Sequence, residues 1–189
     1  MTEGTKSVLF GCHNPIMHGL AVLRAWKLEY GSWPEWWQII GIFLHDIGVW
    51  GRPYLSDDEA KKGHWIRGAV LSSEIVQWVT FLFSSKREWD RVDECIESGW
   101  KAYAFVAGHC QEESGWPQSR LARADKRSWL VAPMWWLWWN YYVEWHGKGI
   151  GATPPPVWRK LVAENLKREL PMGNHELYMK NRKSGSPTP

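Results

Sequence analysis

Apolar residues recur at helical spacing through most of the 189-residue chain. The stripe over Pro15–Tyr30 is followed by Gly31, which is typical of a helix end. Ser32, as a cap, and Pro34, in the first turn, predict a second helix that reaches about Ile47. No segment alternates for long, and no Asn-Gly or Asp-Gly hairpin turn occurs. The pattern therefore predicts an all-α fold.

Further helices follow from the same pattern. Residues 56–59 form a helix-start signature, with a helix through His64 and Ala69 expected after it and another through Val79. Later helices are predicted over Glu88–Ala107, 118–130 and 157–170, with a loop over 109–117 and a tryptophan-rich helix from Pro133. In the first of these, one amphipathic face carries the apolar residues Trp89, Val92, Cys95, Ile96, Trp100, Tyr103 and Val106.

We expect one domain over residues 1–180 and a disordered tail over 181–189. Seventeen tryptophans predict a thick, partly polar core, with some rings exposed at a subunit interface or a ligand pocket. Acidic and basic residues alternate and the net charge is only +3, so no nucleic-acid partner is predicted.

The three cysteines predict neither a disulfide framework nor a zinc knuckle, because their number is odd and no CxxC spacing occurs. The first ten residues lack the pattern of a signal peptide, so we expect a cytoplasmic location. The segment 129–145 is short for a membrane span and contains Pro133, Asn140 and Glu144. It predicts a buried helix or one at an oligomer interface, and a homodimer is one expectation.

Candidate chemistry begins at His45 and Asp46, which follow the apolar run IIGIFL at the end of a helix expected to be buried. A buried aspartate is costly unless it is paired or bound to a cation. Adjacent histidine and aspartate can reach one cation through nitrogen and oxygen, a mixture that suits Zn, Mn, Fe or Co better than Ca. The alternative is that Asp46 caps the helix and His45 hydrogen-bonds to it.

Four more polar residues occupy positions where core residues are expected. They are His18 in IMHGLAVL, His64 in GHWIRGAVL, His109 in AFVAGHCQ and Asp125 in LARADKRSW. A competing histidine, His13, lies in the turn-like CHNP, so His18 is preferred. The remaining two, His146 and His175, have polar neighbours and are expected at the surface.

The ordered segments FLHDIGVWG, GHWIRGAVL, VAGHC and LARADKRSWL resemble the HD superfamily of metal-dependent phosphohydrolases, over roughly residues 15–142. Within it, the chain resembles an uncharacterised branch with an HDIG-x-WG motif. The resemblance implies an HD-domain helical bundle with one or two divalent ions of Mn, Fe, Co, Ni, Zn or Mg. The first ion would be bound by His18, His45, Asp46 and Asp125, and the second by His64 and His109 with Asp46 bridging.

The resemblance also implies hydrolysis of a phosphate ester or anhydride, in a nucleotide or related small molecule, by a metal-activated water. Many members have a lysine or glutamate soon after the His-Asp pair. Here no acid follows, so the pattern assigns no proton-transfer residue, while Arg52 and Lys126 are candidates for phosphate binding or for structural ion pairs. Trp50, Trp65 and Trp129 are candidates for base stacking or for plain core packing.

Two other functions fit the same residues. Some proteins with this six-residue ligand set are di-iron oxygenases that cleave C–C or C–P bonds with dioxygen. A degenerate domain of this type can also serve as a non-catalytic binding module. The intact set argues against the second alternative, because a decayed site usually loses ligands first.

Overall fold

The computed structural model describes residues 14–50, 62–143 and 153–169. Within these ranges the chain is helical without a strand, which confirms the all-α prediction. The helices are α1 (Pro15–Tyr30), α2 (Trp36–Leu44), α3 (His64–Phe83), α4 (Glu88–Ala107), a 3-10 turn (Gly108–Cys110), α5 (Gln111–Ser114), α6 (Arg120–Val131), α7 (Met134–Val143) and α8 (Pro155–Glu169). The predicted helix start at 56–59 and the tail at 181–189 lie outside the described residues.

Local chemistry sets both ends of α1, which lie at the bounds that the sequence predicted. Asn14 Oδ1 accepts a hydrogen bond from the Met17 N–H at 2.6 Å. Gly31 adopts a left-handed conformation with a φ of 71°, and its N–H donates to the Lys27 carbonyl at 3.0 Å. The helix therefore begins and ends where cap residues meet the backbone groups left unpaired.

The predicted cap of α2 was wrong. Glu35, rather than Ser32, caps this helix in a capping box with Gln38, whose Oε1 accepts from the Glu35 N–H at 2.9 Å. The helix ends at Leu44, and tight turns continue the chain, with the Val49 N–H donating to the Asp46 carbonyl at 2.9 Å. His45 and Asp46 thus lie at the point where the helix ends.

Two segments are more regularly helical in the structure than the sequence predicted. The chain from His64 to Phe83 is one continuous helix, where the sequence suggested two. The segment 109–117, expected to be a loop, contains the end of the 3-10 turn and all of α5. Both differences bring additional backbone order to the residues around His64 and His109.

Two helix pairs form the frame of the fold. Helix α3 packs along α4, helix α1 packs along α6, and α2 contacts α1, α3 and α4. The main core cluster comes from all five helices and contains Val22, Trp26, Ile42, Ala69, Phe105, Val106 and Leu121. This arrangement brings the end of α2, the start of α3 and the middle of α6 to one place.

A buried ion pair joins α1 to α6. Glu29 is 1% exposed, and its Oε1 lies 2.7 Å from Arg123 Nε. Its other oxygen contacts the Arg127 guanidinium. Because α1 carries His18 and α6 carries Asp125, this contact holds the helices that place those two side chains.

The apolar face predicted for α4 is buried only near its C-terminal end. Trp89 and Trp100 are 82% and 58% exposed, and Val92 and Ile96 are exposed as well. The residues that face α3 are small: a Cβ at Gly99 would lie 2.2 Å from the Gln77 amide. The Gln77 side chain of α3 therefore packs directly on the α4 backbone at Gly99, while these large side chains of α4 lie outside the contact.

The tryptophan-rich helix α7 divides its residues between core and surface. Trp136 and Leu137 are buried, whereas Trp135, Trp139 and Tyr142 are exposed. The homodimer expected from such exposed rings stays a prediction. Among the described helices, none combines the length and apolarity needed to cross a bilayer.

Replacing Gly68 by alanine should destabilise the protein, because α3 passes directly over the end of α2. A Cβ at Gly68 would lie 2.5 Å from the Leu44 carbonyl oxygen and 2.6 Å from that of His45. Overpacking of this kind costs about 1–3 kcal/mol, whereas helix propensity alone would stabilise the variant by about 1 kcal/mol. Denaturant unfolding gives the sign, with the exposed Val70→Ala on the same helix as control. A Gly68→Ala protein more stable than the wild type would contradict the close approach.

Candidate metal centre

Four side chains from three parts of the fold converge on one point. His18 comes from α1, His45 and Asp46 from the end of α2, and Asp125 from α6. Their ligand atoms all lie within 4.8 Å of one another. His18 Nε2 is 3.4 Å from Asp46 Oδ2 and 2.9 Å from Asp125 Oδ1. For His45 Nε2 the corresponding distances are 3.4 and 3.5 Å. We call these residues the first group.

A second group lies on the other side of Asp46. It consists of His64, the first residue of α3, with His109 and Cys110 from the 3-10 turn. Asp46 Oδ1 lies 3.6 Å from the Nε2 atoms of both His64 and His109. Each oxygen of the Asp46 carboxylate therefore faces a different group.

The separations test whether these groups suit a cation. A nitrogen and an oxygen joined by a hydrogen bond lie about 2.7–3.2 Å apart. Two ligands of one tetrahedral zinc ion, each about 2.0–2.1 Å from it, lie about 3.4 Å apart. The distances of 3.4–3.6 Å match the second case, and only the 2.9 Å between His18 and Asp125 matches the first. The two groups could hold metal ions.

Backbone carbonyls orient two of the imidazoles. His45 Nδ1 lies 2.7 Å from the Ile42 carbonyl oxygen, and His109 Nδ1 lies 2.5 Å from that of Val106. Because a carbonyl can only accept, each Nδ1 donates its N–H, and a neutral ring then presents an Nε2 lone pair to the centre. Among the described residues, His45 Nε2 is buried without a hydrogen-bond partner. A cation would satisfy it.

Without an ion, protons take the place of a cation. Burial opposes the charged form of His18, but hydrogen bonds and charges from Asp125 and Asp46 outweigh it and raise its pKa to about 9. Burial likewise opposes protonation of His109, yet Asp46 and Cys110 raise its pKa well above the usual value. Burial would raise the pKa of Asp125, but contacts with His18 and His45 lower it. The metal-free centre is therefore a network of imidazolium and carboxylate groups.

Metal affinity should rise with pH up to about 9, because below that pH an ion must displace the proton held by His18. The stability of the metal-free protein should change in the opposite sense. A raised folded-state pKa gives stability that is fully present below 6.5 and is lost as the pH rises through about 9. Chelator-competition titrations with Zn²⁺ and denaturant unfolding at several pH values measure both quantities. His18→Gln should weaken both dependences, and a pH-independent affinity in the wild type would contradict the assignment.

Two nearby residues were not found from the sequence. Cys110 Sγ lies 3.2 Å from His109 Nε2 and 3.4 Å from His64 Nε2. Glu113 Oε2 lies 4.0 Å from His64 Nδ1 and can help to orient that ring. The cysteine directly follows His109 in VAGHC, but one thiol beside a histidine has no diagnostic spacing, and nothing in the local pattern marks Glu113.

Lys126 lies beside the first group on the exposed side of α6. With Asp125 and Trp129 it lines an open cavity of about 220 Å³, whose other lining residues are Val162, Asn165 and Leu166 of α8. The ring of Trp129 is half-buried, with its centroid 5.6 Å from that of His18. A group bound in this cavity would thus lie next to the first group.

The other sequence candidates divide into two kinds. Trp65 is buried in the core against Tyr103, so it offers no stacking face and the packing interpretation is correct for it. Trp50 is half-buried. Arg52 lies outside the described residues, as do His13, His146 and His175.

No protein-family model, curated protein or solved structure matches this chain. The geometry of the two groups is the basis for the functional proposal that follows.

Proposed function

We propose that this chain is a metal-dependent hydrolase of the HD type that cleaves a phosphate ester or anhydride of a nucleotide or related small molecule. The placement of Asp46 carries the proposal. Its Oδ2 faces His18 and His45 at 3.4 Å, and its Oδ1 faces His64 and His109 at 3.6 Å. A carboxylate placed in this way can bridge two cations, which lie about 3.5–4 Å apart in two-metal hydrolases.

The side chains of the two groups would bind the metal ions. The first ion would be held by His18, His45, Asp46 and Asp125, and the second by His64 and His109 with Asp46. A divalent ion would lower the pKa of a bound water from about 15.7 toward about 7, and its positive charge would stabilise the negative charge on the phosphate oxygens. The carbonyls of Ile42 and Val106 keep two imidazoles from turning, so the lone pairs stay directed at the centre.

The cavity beside the first group suits the phosphate end of a substrate. Its volume of about 220 Å³ is below the range of about 300–1,000 Å³ for sites that enclose a whole small ligand. Lys126 would pair with a phosphate oxygen there, and the half-buried Trp129 ring offers an apolar wall or a stacking face. Arg52 remains a second candidate for phosphate binding from the sequence alone.

A phosphate-release screen tests the proposal. Nucleoside mono-, tri- and cyclic phosphates are incubated with the metal-free protein reloaded with Mn, Co, Ni, Mg or Zn. We expect release that depends on the ion and is abolished in Asp46→Asn. Asp93→Asn, an exposed aspartate on α4, is the matched control and should behave as the wild type.

The same preparations distinguish the two alternative functions. Substrate-dependent oxygen uptake after aerobic reconstitution with Fe(II), without phosphate release, would replace the hydrolase by a di-iron oxygenase. A protein that takes up no stoichiometric metal on dialysis would instead be a non-catalytic module. Either result would overturn the proposal.

A further inference from the structure

The thiol of Cys110 lies in a position that the proposed hydrolase does not use. Its sulfur is within hydrogen-bonding distance of two imidazole nitrogens at once, at 3.2 Å from His109 and 3.4 Å from His64. These three ligand atoms form a cluster of their own. Asp46 Oδ1 lies at 3.6 Å from the same two nitrogens. Both imidazole nitrogens therefore lie near the Cys110 sulfur and near the Asp46 oxygen.

In the metal-free protein, protons can satisfy both sulfur contacts, because the S–H donates to one nitrogen while an Nε2–H can donate to the sulfur. The Nδ1–H of His109 is already donated to the Val106 carbonyl, which leaves a lone pair on Nε2 of the neutral ring. Once an ion has displaced the protons, the His109 lone pair, the Cys110 sulfur and the Asp46 oxygen would all be available as its ligands.

The distances agree with tetrahedral coordination. A nitrogen about 2.1 Å and a sulfur about 2.3 Å from one zinc ion lie about 3.6 Å apart, and a nitrogen–oxygen pair about 3.4 Å apart. The separations of 3.2–3.6 Å around the second group lie close to these values. These four separations therefore agree with coordination of one ion to within a few tenths of an ångström.

The backbone holds Cys110 in place. It ends the 3-10 turn that begins at Gly108, and the Gly108 carbonyl accepts from the Ser119 N–H at 3.0 Å. A Cβ at Gly108 would lie 2.4 Å from the Pro117 carbonyl oxygen, so the turn sits directly against the chain entering α6. The sulfur is thus carried by a packed turn rather than by a loose loop.

We propose that Cys110 is a thiolate ligand of the second ion, and that this position consequently selects Zn²⁺ or Co²⁺ over Mg²⁺. On binding, the thiol releases its proton to solvent and the sulfur–metal bond forms, with no change of oxidation state. The inference rests on the proposed function only in requiring an ion at the second group. Soft thiolate ligands favour zinc, whereas Mg²⁺ prefers oxygen. The first group, with two nitrogens and two oxygens, carries no such restriction.

Anaerobic titration of the metal-free protein with Co²⁺ tests this assignment. A thiolate ligand gives an intense near-ultraviolet charge-transfer band, which should appear as the second ion binds. Loss of a partner that only orients a metal ligand costs about 10–100-fold in metal affinity. Because Cys110 is proposed as a direct ligand, Cys110→Ser should lower the affinity for the second ion by at least about 100-fold. The band should be absent from that variant and retained in Cys95→Ser, a half-buried free cysteine on α4. Excess Mg²⁺ should not remove it.

The outcomes separate this inference from the proposed function. Two bound Co²⁺ ions without a thiolate band would overturn the role of Cys110 and leave the two-metal hydrolase standing. Failure of the wild type to bind Co²⁺ would defeat both. A band that Mg²⁺ removes at comparable concentration would contradict the selectivity. If Cys110→Ser does not fold, protection of Cys110 from a thiol reagent in the wild type, read by peptide mapping as zinc is added, decides the question.

Discussion

Asp46→Ala should lose both metal ions together and release no phosphate, while its helices stay folded. The two oxygens of Asp46 face the two groups separately, at 3.4 Å from His18 and His45 and at 3.6 Å from His64 and His109. Removal of the carboxylate takes one ligand and one negative charge from each position. We expect each affinity to fall by at least about 100-fold, beyond the loss typical of an orienting partner.

Metal content after dialysis, with far-ultraviolet circular dichroism to monitor folding, measures this loss. Asp125→Ala is the informative comparison, because Asp125 belongs to the first group alone and its loss should cost one ion. The exposed Asp93→Ala should cost none. An Asp46→Ala protein with normal turnover, or one that retains an ion as tightly as Asp125→Ala, would show that Asp46 does not bridge.

His64→Ala should cost the second ion and spare the first. The imidazole lies 3.6 Å from Asp46 Oδ1 and 3.4 Å from Cys110 Sγ, and it is absent from the first group. Its removal leaves His18, His45, Asp46 and Asp125 with all their ligand atoms. The variant should therefore bind one equivalent of metal, with an affinity close to that of the tighter site in the wild type.

Stoichiometric titration followed by isothermal calorimetry separates the two binding events. His175→Ala removes a histidine that the sequence places among polar residues, outside the described part of the chain, and should keep both ions. Equal loss of both ions in His64→Ala, or loss of neither, would show that the division into two groups is incorrect.

The positions of the helices could largely be predicted from the sequence, whereas the face that each helix buries was harder to predict. The apolar stripe over Pro15–Tyr30 is followed directly by Gly31, so the bounds of α1 could be predicted residue for residue. The buried face of α4 depends instead on which residues let α3 approach. Gly99 and Ala102 permit that contact, and Trp89 and Trp100 consequently point away from the core.

The candidate site shows the same division. His18 and His45 stand out because each lies in or at the end of an apolar stretch, which a single sequence displays, whereas His64 and Asp125 stand out only as parts of the ordered set of motifs. Cys110 gives no such contrast, since cysteine is common in cores and one thiol beside a histidine has no diagnostic spacing. Its relevance arises from the 3-10 turn, which brings the sulfur to His64 across the fold.

The ligands come from five stretches of chain, beginning at residue 18 and ending at residue 125. Bound ions would therefore cross-link most of the molecule, as a disulfide does across a long loop. In the chain-entropy description, closing a loop of about 100 residues is worth about 4.7 kcal/mol against the unfolded ensemble. Unfolding would have to await ion release, so chelation should speed proteolytic degradation. The amount of this protein in a cell would then follow the supply of its metal.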